Sequence, residues 1–207
     1  KKVITSGNTF DIRKTLRKSL TTGGIPIEPV RIGKRQQRKK LLFFIDASRS
    51  MANFAKNYLQ FAYALAYYTS DIEIFLFSTE IKKVTQHLRF YHERRFPVLT
   101  LNENEWEGGT CIGESLARFL YDEGSRLLTK NTLCIIASDG LDAGDLTYLQ
   151  TAMQTIHERS RYVLWLNPLM NLTGYEPAAR GMKTALPYID LLAEAADAQG
   201  MLQLAKK

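Results

Sequence analysis

Four predominantly apolar runs, the first of them continuous, constrain the fold of this chain more than any other feature of its 207 residues. Runs of this kind are typical of strands that are buried on both faces of a sheet. They lie at 41–45, Ile72–Phe77, Thr132–Ala137 and Tyr162–Leu166. Between them, apolar residues recur at steps of three and four, most clearly over residues 51–68, which indicates amphipathic helices.

Strands that alternate with helices predict an α/β fold, namely a doubly wound, mostly parallel open sheet with helices on both faces. We also expect a short strand at 80–85, an irregular connection over 88–109, and helical pieces at 191–198 and 201–206. In sheets of this kind, ligands bind beyond the carboxyl ends of the strands. The polar residues that follow each apolar run are therefore the first candidates for a functional site.

The positive charge of the chain is concentrated in its first 40 residues, which carry 12 Lys and Arg but only two acidic residues. The rest of the chain has a net charge of −3, within a formal total of +7. We therefore predict two parts. Residues 1–40 form a basic lead-in, with a short amphipathic helix over 5–22, an extended segment at 25–32 and a connector at 33–40, and residues 41–207 form the domain.

The two cysteines, Cys111 and Cys134, provide neither a disulfide framework nor the spacing of a metal site. Cys134 lies in an apolar run, so we expect a buried thiol and a reducing compartment. No uncharged run reaches the roughly 20 apolar residues that span a bilayer, and no signal peptide is visible. We expect a cytoplasmic protein, and we interpret the chain as a fragment because it does not begin with Met.

Side chains with oxygen atoms cluster after two of the apolar runs and before one predicted helix. They are Asp46, Ser48 and Ser50 after the first run, Thr110 after Gly108-Gly109, and Asp139 and Asp142 in the segment Ser138-Asp139-Gly140-Leu141-Asp142. Residues two apart in an extended chain point the same way, so Ser48 and Ser50 can face what Asp46 faces. Taken singly, each motif favours a helix cap or a turn. Together, two carboxylates and three hydroxyls favour a hard cation such as Mg²⁺.

These motifs resemble the metal-ion-dependent adhesion site (MIDAS) of von Willebrand factor A-type (VWA) domains, which reads Asp-x-Ser-x-Ser, then Thr, then Asp-Gly. The resemblance extends to the CoxE-like subfamily and covers nearly the whole chain. It includes the segments at 10–20, 23–24, 106–114, 138–142, 165–169, 174–177 and 185–190. It implies the VWA fold, which is a Rossmann-like α/β sheet.

The resemblance also implies a role for each residue of the site. Ser48, Ser50 and Thr110 would ligate the cation through their hydroxyls, whereas Asp46 and Asp139 would act largely through water. The cation would be Mg²⁺, or another divalent ion such as Mn²⁺ or Ca²⁺. One coordination position would stay open for a carboxylate of a partner protein.

Five further residues flank this site as candidates for a supporting role or for partner contact: Arg49, Trp106, Gly109, Cys111 and Asp142. Arg49 stands where the family usually has Gly, so it either repels the metal or recruits an acidic partner. Trp106 either props the Thr110 loop or is exposed for a partner. Cys111 stands where the family often has Arg, and Asp142 is a weaker candidate for direct ligation.

For function, the resemblance implies a non-catalytic adaptor. It would work with a MoxR-type AAA+ ATPase to remodel or mature a client protein, which would supply an Asp or Glu to the cation. Two alternatives stay open. A Mg-dependent phosphotransferase would use Asp46, although Ser48 stands where such sites usually have a second Asp. Residues 1–40 would bind nucleic acid through their charge, which we do not expect because Phe10 is their only aromatic residue.

Overall fold

The structure is a computed structural model, and it describes residues 9–10, 31–32, 40–90, 109–174 and 176–194. The chain divides into two units, Lys1–Arg38 and Lys39–Lys207, while the boundary between lead-in and domain stays a prediction. In the first unit, strand β1 (Thr9–Phe10) pairs antiparallel with strand β2 (Arg31–Ile32). The helix predicted over 5–22 is therefore wrong at residues 9–10, where strand pairing outweighs the amphipathic pattern. The rest of that helix and the connector at 33–39 lie outside the described residues.

The second unit is built on a six-stranded sheet. Its strands are β3 (Lys40–Asp46), β4 (Ile72–Phe77), β5 (Ile81–Lys83), β6 (Thr132–Ala137), β7 (Tyr162–Leu166) and β8 (Leu191–Ala193). They lie in the order β5-β4-β3-β6-β7-β8. All neighbouring pairs are parallel except β4 and β5, which are antiparallel. The predicted mostly parallel sheet is confirmed, as is the short strand within 80–85.

Five α-helices of the described chain cover the two faces of this sheet. They are α1 (Ala52–Tyr68), α2 (Thr85–Phe90), α3 (Ile112–Phe119), α4 (Leu146–Arg159) and α5 (Arg180–Ala185). Helix α3 continues through a π-helical turn at Leu120–Gly124 into a last turn at Ser125–Leu127. Residues of α3, α4 and α5 share one core cluster, and residues of α1 and α2 share the other.

The alternation of side chains along β3 explains why both clusters form. Leu42 and Phe44 belong to the cluster on the α3 side, whereas Phe43 and Ile45 belong to the cluster on the α1 side. All four are fully buried, and burial of side chains of this size contributes about 1.5–3 kcal/mol each. The continuous apolar run is thus the signature of a strand with helices on both faces.

Two further sequence-based expectations about secondary structure are wrong, and the helical piece predicted at 201–206 lies outside the described residues. The helix predicted over 191–198 is a strand at Leu191–Ala193, because this segment pairs in parallel with β7; residues 195–198 lie outside the described part. The irregular connection predicted over 88–109 begins as the end of α2, which runs to Phe90. Within the described residues, no helix is long and apolar enough to cross a membrane.

Candidate metal centre

The first polar side chains after β3 and β6 meet at one edge of the sheet. The two strands are parallel neighbours, with Ile45 paired to Ala137. Asp46 is the last residue of β3, and Ser138 and Asp139 directly follow β6. The hydroxyl of Ser138 donates a hydrogen bond to Asp46 Oδ2 at 2.6 Å, so the two strand ends are joined through this carboxylate.

Asp46 lies at the bottom of the site and is fully buried. Its Oδ1 accepts a hydrogen bond from the backbone N–H of Ser48 at 2.9 Å, and its Oδ2 accepts from Ser138. These bonds hold the carboxylate in one orientation. Each carboxylate oxygen retains a lone pair for a further donor or a cation.

Ser48 and Ser50 stand above this carboxylate at the start of the turn that leads into α1. Their hydroxyl oxygens are 3.2 Å apart, and Ser48 is buried whereas Ser50 is exposed. Ser48 occupies the N-cap position of the 3₁₀ turn Arg49–Met51, yet its side chain makes no capping hydrogen bond. The simple helix-cap interpretation of Ser48 is therefore wrong, because its hydroxyl bonds to that of Ser50 and not to a backbone N–H of the turn.

Thr110 lines the same cavity as Ser48 and Ser50. It is 6% exposed, and its carbonyl accepts a hydrogen bond from the N–H of Ala143 at 2.8 Å. A Cβ at Gly109 would lie 3.0 Å from the Cβ of Ala143, so glycine permits this close approach of the two loops. Thr110, Ser48 and Ser50 line one cavity of about 420 Å³.

Asp139 completes the set as a second buried carboxylate, 2% exposed. Its Oδ1 accepts from the N–H of Leu141 at 3.0 Å, and its carbonyl accepts from the side-chain amide of Asn167 at 3.3 Å. The next residue, Gly140, has a φ of 76°, a conformation that glycine adopts without strain. This turn directs the chain back over the site.

The electrostatics of the site favour the binding of a cation. The pKa of Asp46 is raised to about 6, chiefly by burial; hydrogen bonds from Ser138 and Ser48 lower it, and the charge of Asp139 adds a smaller increase. Among the described residues, no Lys, Arg or His forms an ion pair with either carboxylate. Two unpaired carboxylates in a buried site are costly, and a divalent cation would remove that cost.

The donor set fits Mg²⁺ better than a softer metal. In the described part of the chain, no three His, Cys, Asp or Glu side chains come together as a metal-binding group. Ligands beyond the two carboxylates would therefore be hydroxyls and water, which suit Mg²⁺ or Ca²⁺.

We expect the metal-free protein to lose stability as the pH rises from about 4 to about 8, by at most ~3 kcal/mol from Asp46. The raised pKa means that the folded state holds this proton more tightly than the unfolded chain does. Stability therefore falls as the proton is lost. Urea unfolding in EDTA, compared with Asp46→Asn across this range, isolates the effect. A wild-type stability that rises relative to Asp46→Asn would contradict it.

Asp142 holds the loop after β6 against the start of α3. Its Oδ1 accepts from the N–H groups of Ile112 at 3.2 Å and Gly144 at 2.9 Å, and its Oδ2 accepts from Gly113 at 3.3 Å. Carboxylates are stabilised at a helix N-terminus in this way. The supporting role expected of Asp142 at the metal site stays a prediction.

Glu114 makes the reciprocal contact and was missed by the sequence analysis. Its Oε1 accepts from the N–H of Asp145 at 3.1 Å, at the start of α4, and its Oε2 is buried without a hydrogen-bond partner. A Cβ at Gly144 would lie 2.3 Å from Oε2. Asp142 and Glu114 thus join the loops that carry Asp139 and Thr110, and no sequence spacing announces a contact between such distant residues.

The remaining candidates lie at the rim of the cavity or beyond the described chain. Arg49 and Gly109 line the cavity. Cys111 is half-buried, and burial, then the charges of Glu114 and Asp142, raise the pKa of its thiol. Trp106 lies outside the described residues. Arg180, which the sequence analysis did not select, also lines the cavity.

A mostly parallel sheet with oxygen-bearing side chains at the carboxyl ends of its strands is characteristic of a VWA-type domain. The sequence matches the family described as VWA domain containing CoxE-like protein over residues 1–201. The chain therefore belongs to this family, and as a VWA domain it is of the protein-interaction type. No curated protein matches the sequence.

Solved structures with the same fold are distant in sequence. Proximal thread matrix protein 1 (PTMP1) from the mussel byssus has a TM-score of 0.50 and 12% identity, covering 80% of this chain and 44% of that chain. The PilB minor pilin from Streptococcus sanguinis has a TM-score of 0.50 and 11% identity, covering 86% and 62%. A second PTMP1 structure, with a zinc-occupied MIDAS motif, has a TM-score of 0.47 and 12% identity, covering 82% and 46%. The chain thus spans less than two thirds of these structures, and the likeness shows the fold alone.

Proposed function

We propose that this chain is a metal-dependent protein-interaction module. In this proposal Asp46, Ser48, Ser50, Thr110 and Asp139 hold one divalent cation, with Mg²⁺ preferred over Mn²⁺ or Ca²⁺. The observation that carries the proposal is the pair of buried carboxylates, Asp46 and Asp139, without a cationic partner in the described chain. Asp46 accepts a hydrogen bond from the N–H of Ser48, which lines one cavity with Ser50 and Thr110.

The residues of the site would play different roles in binding a partner. Asp46 and Asp139 supply negative charge from below, and their hydrogen bonds keep them in place. Ser48, Ser50 and Thr110 line the cavity and would add only neutral oxygens, so two carboxylates balance the charge of a divalent cation without exceeding it. The bound cation would supply an open coordination position for a partner's Asp or Glu.

The site does not favour catalysis by Asp46. A phosphotransferase needs an accessible carboxylate oxygen, whereas Asp46 is fully buried and both of its oxygens accept hydrogen bonds. Neither described histidine lines the cavity: His87 lies on α2, and His157 lies on α4 with its Nδ1 3.8 Å from Asp190. These positions support a binding role without turnover.

The partner that the family resemblance supports is a MoxR-type AAA+ ATPase, with a client protein that supplies the carboxylate. Nucleotide hydrolysis would then belong to the ATPase. We place this adaptor in the cytoplasm, which suits the two free cysteines, Cys111 and Cys134.

Calorimetric titration with Mg²⁺ tests the metal site. We expect Thr110→Ala to weaken Mg²⁺ binding by at least about tenfold, ~1.4 kcal/mol, because one direct ligand is lost. Thr151→Ala is the matched control, since it removes a hydroxyl that bonds within α4. Equal Mg²⁺ affinity of Thr110→Ala and the control would contradict the proposed site.

Co-purification with the MoxR-type ATPase encoded nearest to this chain tests the partnership. Chelation alone is ambiguous because such ATPases need Mg²⁺ for nucleotide. We therefore compare the folded Thr110→Ala variant with Thr151→Ala in the same Mg²⁺ buffer. Capture by Thr151→Ala and loss with Thr110→Ala is the expected result, and equal capture by both variants would count against metal-dependent recruitment.

A further inference from the structure

Two arginines from distant parts of the sequence stand in the wall of the cavity above the candidate metal centre. Arg49 lies between Ser48 and Ser50, and Arg180 is the first residue of α5. Both side chains belong to exposed residues, and both line the cavity of about 420 Å³. The two cations therefore flank the space that a partner would enter.

Neither guanidinium forms an ion pair with a residue in the described part of the chain. Arg118 pairs with Asp122, and Arg126 pairs with Glu123. Arg49 and Arg180 have no such partner among the described residues. Of the described residues that line the cavity, only Asp142 is acidic, and its carboxylate accepts hydrogen bonds from three backbone N–H groups.

The described lining of the cavity therefore carries two arginines against one carboxylate. Asp46 and Asp139 are not among these lining residues and are 0% and 2% exposed. Besides the two arginines and Asp142, the described wall consists of hydroxyls and small or apolar side chains such as Leu141 and Ala179. A guanidinium presents a planar set of donors that matches a carboxylate in a bidentate manner.

From this arrangement we infer that Arg49 and Arg180 form a second anion subsite, and that the partner is an acidic peptide segment with two carboxylates. The inference rests on the proposed function, in which one carboxylate meets the hydroxyl-lined centre. The second carboxylate binds the arginine pair. The volume of the cavity matches the roughly 300–1,000 Å³ of typical ligand sites, which is enough for two neighbouring acidic side chains.

Synthetic peptides test this subsite by fluorescence anisotropy with the full chain in Mg²⁺. One peptide carries a single Glu in a Gly/Ser/Leu background, and a series carries a second Glu one, two or three positions away. For the best spacing, we expect roughly two- to tenfold tighter binding than for the single-Glu peptide, the range of a partly exposed ion pair. This preference should vanish in the Arg49→Ala/Arg180→Ala double variant.

The control removes the same charge elsewhere. Arg159 and Arg161 lie just before β7, at the amino end of the strands and far from the cavity. The Arg159→Ala/Arg161→Ala variant should keep the two-Glu preference. This control matters because the strongly basic residues 1–40 attract any acidic peptide without specificity. A preference that falls equally in both double variants overturns the inference.

The outcomes separate this inference from the proposed function. Binding that is lost in EDTA but does not respond to the second Glu at any spacing overturns the arginine subsite and leaves the metal-dependent function standing. Two-Glu binding that persists in EDTA and is lost in Arg49→Ala/Arg180→Ala supports the subsite and contradicts the metal-dependent function. Absence of binding by every peptide in Mg²⁺ contradicts both.

Discussion

Gly113→Ala is expected to destabilise the domain by about 1–3 kcal/mol, the usual cost of overpacking. Gly113 lies in the first turn of α3, where a Cβ would stand 2.5 Å from the backbone nitrogen of Leu149 and 3.0 Å from its Cα. Both atoms belong to the backbone of α4, so relief requires that the two helices move apart. Helix propensity alone predicts the opposite sign, since Ala is favoured over Gly by about 1 kcal/mol in a helix.

Urea unfolding of Gly113→Ala and of Gly124→Ala measures this effect. At Gly124 the nearest atom to an added Cβ is Leu120 Cδ2 at 3.2 Å, which is the end of a flexible side chain. We therefore expect a much smaller change there. A Gly113→Ala variant that is as stable as the wild type would contradict the close approach of α3 and α4.

Asp46→Asn is expected to stabilise the metal-free protein at about pH 8 by at most ~3 kcal/mol, and to abolish stabilisation by Mg²⁺. The substitution removes a buried negative charge close to that of Asp139. The amide oxygen can still accept from the N–H of Ser48, and the Ser138 hydroxyl can turn to accept from the amide nitrogen. The residue at position 46 therefore keeps a partner on each side, although the Ser138 hydroxyl proton loses its present acceptor.

Thermal unfolding with and without Mg²⁺ checks both parts of this prediction. Mg²⁺ at about 100 times its dissociation constant adds ~2.7 kcal/mol to a protein that binds it, and Asp46→Asn should gain almost nothing. Asp145→Asn serves as the control, since this exposed carboxylate caps α4 away from the cavity. A metal-free Asp46→Asn protein that is less stable than the wild type would contradict the cost assigned to the buried charge.

The parts of the fold that depend on continuous burial could be predicted from sequence. The runs before Asp46 and Ser138 are strands because helices cover both of their faces, and their polar ends mark the edge of the sheet where the candidate site lies. The strand Leu191–Ala193 could not be distinguished from a helix, because three edge residues carry no period and pairing with β7 decides their conformation.

The residues of the candidate site also differ in whether they could be predicted from sequence. Asp46, Ser48, Ser50, Thr110 and Asp139 stand out because each follows a strand or precedes a helix. Arg180 and Glu114 do not, since their positions depend on loops that only the tertiary structure brings together. A charged residue within a loop carries no local sign of the cavity or the contact that it will reach.

The most direct test of the central claim is anomalous scattering from crystals of this protein grown with Mn²⁺. The account predicts one strong anomalous peak bounded by the side chains of Asp46, Ser48, Ser50, Thr110 and Asp139, and no such peak in crystals of Thr110→Ala. Wild-type crystals without a peak at this position, or with Arg49 seated between Ser48 and Thr110, would contradict it.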